Sequence, residues 1–195
     1  MKLIEFIGMP RSGKSMQAEL LKKTLEAAGK SVLLLTDREH MARLSVPPQE
    51  SLAFALSYYG QLLDSYYAHC GKADVMIIDR GWSDVRVWAD VYRAMKVVTE
   101  DEARSLVGCF GRFSGLSTAV VVMRLAPEIS LERHRTALHE RVDEVSMNPE
   151  WLEALSEAYE THRSRLMNPF DVDGRLTPED AHARISDFLE ATGSV

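Results

Sequence analysis

Cysteine is scarce in this chain: only Cys70 and Cys109 occur among 195 residues, with no Cys-x-x-Cys and no histidine at ligand spacing beside either. That scarcity excludes a disulfide framework and a zinc site, and leaves reduced thiols as the expectation. Long apolar runs are lacking as well, for no stretch approaches the roughly 18 uninterrupted apolar residues of a membrane span. No membrane partner is expected. The apolar residues near the amino end are needed as a strand, not as a secretory leader, so a cytoplasmic location is the expectation. Positive charge is in deficit, with 23 Lys and Arg against 29 Asp and Glu and a formal charge of −6. The basic residues do not cluster on one predicted face, which disfavours a general nucleic-acid surface. Repeats, low-complexity tracts and linkers are missing, so residues 1–195 are expected to form one domain around a substantial core. No Asn-Lys-x-Asp occurs, which argues against a guanine-nucleotide switch.

What the chain does hold begins at its amino end. The run Leu3-Ile4-Glu5-Phe6-Ile7 leads into Gly8-Met9-Pro10-Arg11-Ser12-Gly13-Lys14-Ser15, which reads G-x-x-x-x-G-K-S, the Walker A pattern. Phosphate chemistry dictates that spacing. Glycines let the backbone curl until successive N–H groups point at β- and γ-phosphate oxygens, Lys14 adds a mobile positive charge, and the Ser15 hydroxyl can hold Mg²⁺. A helix starting near Gly13 adds its N-terminal dipole to the same anion site. Ser15 to Ala28 supplies that helix, with Met16, Leu20, Leu21, Leu25 and Ala28 on its apolar stripe and Gly29 as its stop. Gly8 to Met16 is therefore the candidate nucleotide-binding segment, for ATP or GTP.

Four further apolar segments, 32–35, 75–78, 119–125 and 170–172, alternate with helical stretches. Their near-continuous Val, Ile and Leu mark strands covered on both faces, so the expected class is α/β with one doubly wound parallel sheet. Such sheets bind ligands at the carboxyl ends of their strands. There Thr36-Asp37-Arg38-Glu39 follows the second strand, and Arg38 can meet an acceptor phosphate or stand as a solvated loop charge. Pro47-Pro48 punctuates a turn before a helix from Ser51 to about His69. Its stripe is Leu52, Ala55, Leu56, Tyr59, Leu62, Leu63 and Tyr66, while Phe54, Tyr58 and Tyr67 fall off it and serve either packing or base stacking.

The third strand ends in Val75-Met76-Ile77-Ile78-Asp79-Arg80-Gly81. Four apolar residues followed by Asp is the Walker B form, a carboxylate at a strand end beside the phosphate loop. Asp79 can hold Mg²⁺ or an acceptor hydroxyl, and Arg80 can clamp an anion through two hydrogen bonds. A plain ion pair at the strand end is the alternative. Trp82 and Asp84 follow closely enough to shape an acceptor pocket, whereas Trp88 reads as core. Beyond Pro127, Arg133, Arg135 and Arg141 crowd a stretch of little apolar periodicity. They suit a mobile lid at about 133–147 closing its cations over a triphosphate, or a solvated helix face neutralised by Glu132 and Glu140. Gly174-Arg175, after the fifth strand, is a candidate edge of an adenine pocket.

Taken in order, Gly8 to Ser15, Asp79-Arg80, Leu125-Ala126-Pro127-Glu128-Ile129-Ser130-Leu131-Glu132-Arg133, the charged lid and Leu155 to Tyr159 resemble the thymidylate kinases and related deoxynucleoside kinases over nearly the whole chain. The resemblance implies a three-layer P-loop NTPase fold with a five-stranded parallel sheet ordered 2-3-1-4-5 and helices on both faces. It implies ATP with Mg²⁺ as donor, and transfer of the γ-phosphoryl to a nucleoside or nucleoside monophosphate. In that scheme Asp79 is the carboxylate near the acceptor oxygen, as base or, with Ser15, as metal ligand, Lys14 and Arg11 balance charge on the transferring group, Arg80 clamps a phosphate or the acceptor, and Arg133 and Arg141 are lid cations. The resembling families are often homodimers. The chain departs from thymidylate kinases at Pro10, where they carry an acidic residue, at 36–40 in place of a T-R-E-P-G-G-like signature, and at Gly81 in place of Tyr or His. Other acceptors therefore stay open. A kinase of another small metabolite or of a modified base in DNA, and a regulatory ATPase acting through a protein partner, are the alternatives.

Overall fold

The computed structural model describes residues 1–45, 51–136 and 146–195. Five strands, β1 (Lys2–Gly8), β2 (Val32–Leu35), β3 (Val75–Asp79), β4 (Ala119–Arg124) and β5 (Pro169–Asp173), form one sheet in the order β2-β3-β1-β4-β5 with every pair parallel. This is the expected α/β sheet, in the order the resemblance implies. Successive side chains of a strand point to opposite faces. Leu3 and Ile7 of β1 thus join a larger core layer with Ile78 and Val120, and Ile4 and Phe6 join a second layer with Ile77 and Val121.

The helices are α1 (Lys14–Ala27), α2 (Asp37–Arg43), α3 (Ser51–His69), α4 (Val85–Ala94), α5 (Glu100–Phe110), α6 (Pro127–Thr136), α7 (Pro149–His162) and α8 (Pro178–Ala191). Residues of α1 and α8 fill the layer of Ile4 and Phe6, and residues of α3, α4, α5 and α7 fill the other. Their ends follow from local chemistry. Gly29 adopts φ +81° after α1, and the Lys30 N–H closes back onto the Leu25 carbonyl at 3.0 Å. Asn148 and Thr177 cap α7 and α8 ahead of a proline in each first turn. Among the described residues no helix is long and apolar enough to cross a membrane.

Two helix faces differ from expectation. The buried stripe of α1 runs through Lys14, Gln17, Ala18, Leu21 and Leu25, and Met16 is 52% exposed. Lys14 turns inward to the phosphate loop, and the face spaced three and four residues from it passes through Gln17 and Ala18. In α3, Tyr58 is buried and Leu56 is 41% exposed. The Tyr58 hydroxyl donates to the Arg80 carbonyl at 2.8 Å, so the turn after β3 draws that face of the helix inward.

Candidate phosphate-loop site and adjoining pocket

The loop between β1 and α1 is shaped by three residues in left-handed or related conformations. Gly8 has φ +126°, and a Cβ there would stand 2.2 Å from the Met123 carbonyl oxygen of β4. Only glycine allows that approach. The Met9 N–H donates to the same carbonyl at 3.1 Å. Arg11 and Gly13 follow at φ +58° and +96°, and the chain then enters α1, a geometry that turns backbone N–H groups into a concave anion cradle. Lys14 is nearly buried and its Nζ donates to the Met9 carbonyl at 2.8 Å. Burial lowers its pKa to about 8, assisted by the Arg80 charge and opposed by Asp79 and Asp84.

Neighbouring helices brace this loop. From α6, Ser130 Oγ donates to the Pro10 carbonyl at 2.7 Å and Arg133 Nη1 to the Arg11 carbonyl at 3.1 Å. From α7, the Tyr159 hydroxyl accepts from the Gly8 N–H at 3.0 Å and donates to Asp84 Oδ1 at 2.8 Å. Asp84 is fully buried, and burial raises its pKa to about 7 against the pull of Arg80 and Tyr159.

Ser15 and Asp79 meet directly, the Ser15 hydroxyl donating to Asp79 Oδ2 at 2.5 Å. Burial raises the Asp79 pKa, with Lys14 holding it back. Its Oδ1 is buried and makes no hydrogen bond. A hydroxyl beside a carboxylate with an oxygen to spare is a donor set of the hard kind Mg²⁺ takes, the rest of its shell coming from phosphates and water. The two residues fit the metal of a nucleoside triphosphate.

A cavity of about 280 Å³ adjoins the loop, its wall including Ser15, Asp37, Arg38, Phe54, Tyr58, Arg80, Trp88 and Tyr92. That is close to the lower end of small-molecule sites, ~300 Å³. Arg80, at φ +68°, lays its guanidinium 4.9 Å from the Trp88 ring centroid and sets Nε 3.5 Å from Asp37 Oδ2. The Arg80 N–H donates to the Phe6 carbonyl at 2.9 Å. Trp82, expected to shape the acceptor pocket, is instead fully buried against Tyr66 and Phe113, while Trp88 belongs to the core as expected and also lines the cavity. The reason is the 3-10 turn at Trp82–Asp84, which drives the first indole under the sheet and starts α4 so that the second faces the opening. Phe54 and Tyr58 also line it, while Tyr67 is 63% exposed.

The structure gathers Gly8 to Ser15 with Asp79, Arg80 and Arg133. Arg175 lies beside the loop, pairing with Asp173 at 2.6 Å next to Gly174, whose position packs against Ser12. Met16 stands outside the buried stripe, on the exposed side of the first turn. Arg141 and most of the expected lid, 137–145, lie outside the described residues, as do Pro47 and Pro48. Asp37 is the residue that sequence reasoning passed over. In a run of four charged or polar residues it looks like part of a helix cap, and Thr36 does cap α2; its one signal was a place at the carboxyl end of the strand next to β3.

A phosphate loop between the central strand and its helix, a strand-end carboxylate beside it and the order 2-3-1-4-5 define the P-loop NTPase fold. Within that fold the chain is similar to the solved structure of deoxyadenosine kinase from M. mycoides with bound dATP. The two share 17% identity and a TM-score of 0.70 over 97% of this chain and 100% of that one. It is likewise similar to deoxyadenosine kinase from M. mycoides with the products dCMP and a flexible dCDP, at 16% identity and a TM-score of 0.69 over 97% and 99% of the two chains. No protein-family model and no curated protein sequence matches the chain.

Proposed function

We propose that this protein is an ATP-dependent phosphotransferase that moves the γ-phosphoryl of ATP–Mg²⁺ to a hydroxyl of a nucleoside. One observation carries the reading: the Asp37 carboxylate shares a cavity wall with Ser15 of the phosphate loop and pairs there with Arg80. A hydroxyl acceptor must lose a proton as the new P–O bond forms, and a carboxylate in the acceptor cavity suits that task. A monophosphate acceptor is already an anion and needs no base. It would need a cation to receive it; on this wall Asp37 stands beside Arg80, and Arg38 is the other cation. The Asp37 carboxylate, which suits a hydroxyl and repels an anion, therefore favours a nucleoside over a monophosphate as acceptor.

The remaining roles follow from charge and position, since phosphoryl transfer asks little covalent chemistry of a protein. The loop amides and Lys14 hold the β- and γ-phosphates, Ser15 and Asp79 hold Mg²⁺, and Arg11 and Arg133 balance charge on the transferring group. Arg80 orients the acceptor, whose base stacks among Phe54, Tyr58 and Trp88. Arg175 borders the donor base. The fold shared with an enzyme whose structures carry dATP, dCMP and dCDP supports the reading. The test is ADP release by the purified protein with ATP–Mg²⁺ against nucleosides, nucleoside monophosphates, other small hydroxyl compounds and DNA. Turnover with nucleosides is expected. Turnover with monophosphates alone would overturn the role of Asp37, and hydrolysis indifferent to every acceptor would favour a regulatory ATPase.

A further inference from the structure

Glu5 stands where the strand pattern asks for an aliphatic residue. Along β1 it shares a face with Leu3 and Ile7, and in register it lies between Ile78 of β3 and Val120 of β4, all four in the larger core layer. It is fully buried. A carboxylate in such surroundings is strongly disfavoured unless its oxygens are satisfied. They are: Ser117 Oγ donates to Oε1 at 2.5 Å and the Ser83 N–H donates to Oε2 at 2.8 Å. Gly81 completes the seat. A Cβ at that position would fall 2.4 Å from Glu5 Cδ and Oε2, so only glycine lets the turn descend onto the carboxylate.

That turn carries the acceptor side of the site. Asp79 closes β3, Arg80 and its guanidinium follow, and Asp84 ends the turn against Tyr159. The Phe6 carbonyl and the Tyr58 hydroxyl hold the Arg80 peptide. Glu5 holds the half of the turn beyond it, from a position that does not line the cavity. We infer that Glu5 is a positioning residue: its carboxylate, tied to Ser83 and Ser117, sets the height of the turn after β3 at which Arg80 meets Asp37. The kinetic part of the test rests on the nucleoside kinase reading; the crystallographic part does not.

Glu5→Leu fills the same space in an aliphatic layer and leaves the Ser83 N–H and the Ser117 hydroxyl without their acceptor. Its kcat/KM for the nucleoside is expected to fall on the order of 10²-fold, through kcat and the acceptor KM, while the Kd for ATP–Mg²⁺ stays within about threefold. Glu5→Gln can accept from Ser83 and donate to Ser117, and is expected to recover most of the loss. Crystal structures of the wild type and of Glu5→Leu should show the Arg80–Asp37 pair opened in the variant. Gly81→Ala, which presses the turn off an intact Glu5, should reproduce the selective acceptor defect even if Glu5→Leu does not fold. Unchanged acceptor kinetics in either folded variant, equal losses for ATP and acceptor, a Gln variant as impaired as Leu, or a turn unmoved in the crystal would each overturn the inference. A wild type inactive on every nucleoside would sink the kinase reading, and the position of the turn alone would then decide the role of Glu5.

Discussion

Asp37 and Arg80 face each other across the mouth of the cavity, Oδ2 to Nε at 3.5 Å, and so tie the end of β2 to the turn after β3. Neither is deeply buried, so the pair contributes little to stability; under the proposed function its value is in orienting a base and a clamp. Asp37→Asn is expected to lower kcat by about 10² to 10⁴ with the ATP–Mg²⁺ Kd unchanged. Removing the negative charge also leaves Arg80 more receptive to anions, so nucleoside monophosphates should inhibit the variant more strongly than the wild type. Steady-state kinetics with nucleotide binding on the same samples measures both effects.

Lys14→Ala removes the charge that the proposed function directs at the phosphates. A kcat loss of about 10² to 10³ is expected, the cost of deleting one preorganised donor to a developing charge. Asp79→Asn keeps the Ser15 contact but halves the carboxylate, and should move the Mg²⁺ dependence of the rate to higher concentration. Both variants are expected to melt cooperatively near the wild-type temperature. Full activity of either at low Mg²⁺ removes the assignment.

Tyr159→Phe takes one hydroxyl away from two buried groups, the Gly8 N–H and Asp84 Oδ1. Leaving them unpaired should lower stability by about 1–3 kcal/mol, read from urea denaturation. Because Gly8 begins the phosphate loop, the KM for ATP should rise with it. A variant destabilised but unchanged in ATP KM would show that the brace serves the fold alone.

Asp84 makes stability depend on pH. Burial raises its folded pKa from 3.8 to about 7, so between those values the native state holds a proton that the unfolded chain has lost. The contribution is fully present below pH 3.8, declines as pH rises, and is lost above about pH 7. Asp84→Asn should therefore be more stable relative to the wild type at pH 8 than at pH 5, by on the order of 1–3 kcal/mol, in guanidinium titrations at the two pH values. An unchanged difference would mean that Asp84 is not protonated in the folded protein near neutrality.

The phosphate loop was legible because its geometry is local. Eight consecutive residues hold the glycines, the lysine and the serine, and the curl they impose needs no partner to be recognised. The five strands were legible for a similar reason: a parallel sheet buried on both faces needs nearly continuous apolar residues, and 32–35 and 75–78 read so directly. Helix faces were less so. Choosing Leu56 over Tyr58, or Met16 over Gln17, requires knowing which neighbour covers the helix, and that neighbour comes from elsewhere in the chain.

By itself, then, the amino-acid order determined a triphosphate-shaped cradle, the strand that feeds it and the carboxylate at the next strand tip, since backbone conformation and apolar runs are written within a few residues. Tertiary structure alone decided the pocket. Asp37, Tyr58, Arg80 and Trp88 come from three separate segments, and only strand register and helix packing bring them to one wall. The same holds for Glu5, an apparent misfit in β1 until the turn above it and Ser117 beside it supply the hydrogen bonds that a buried carboxylate requires.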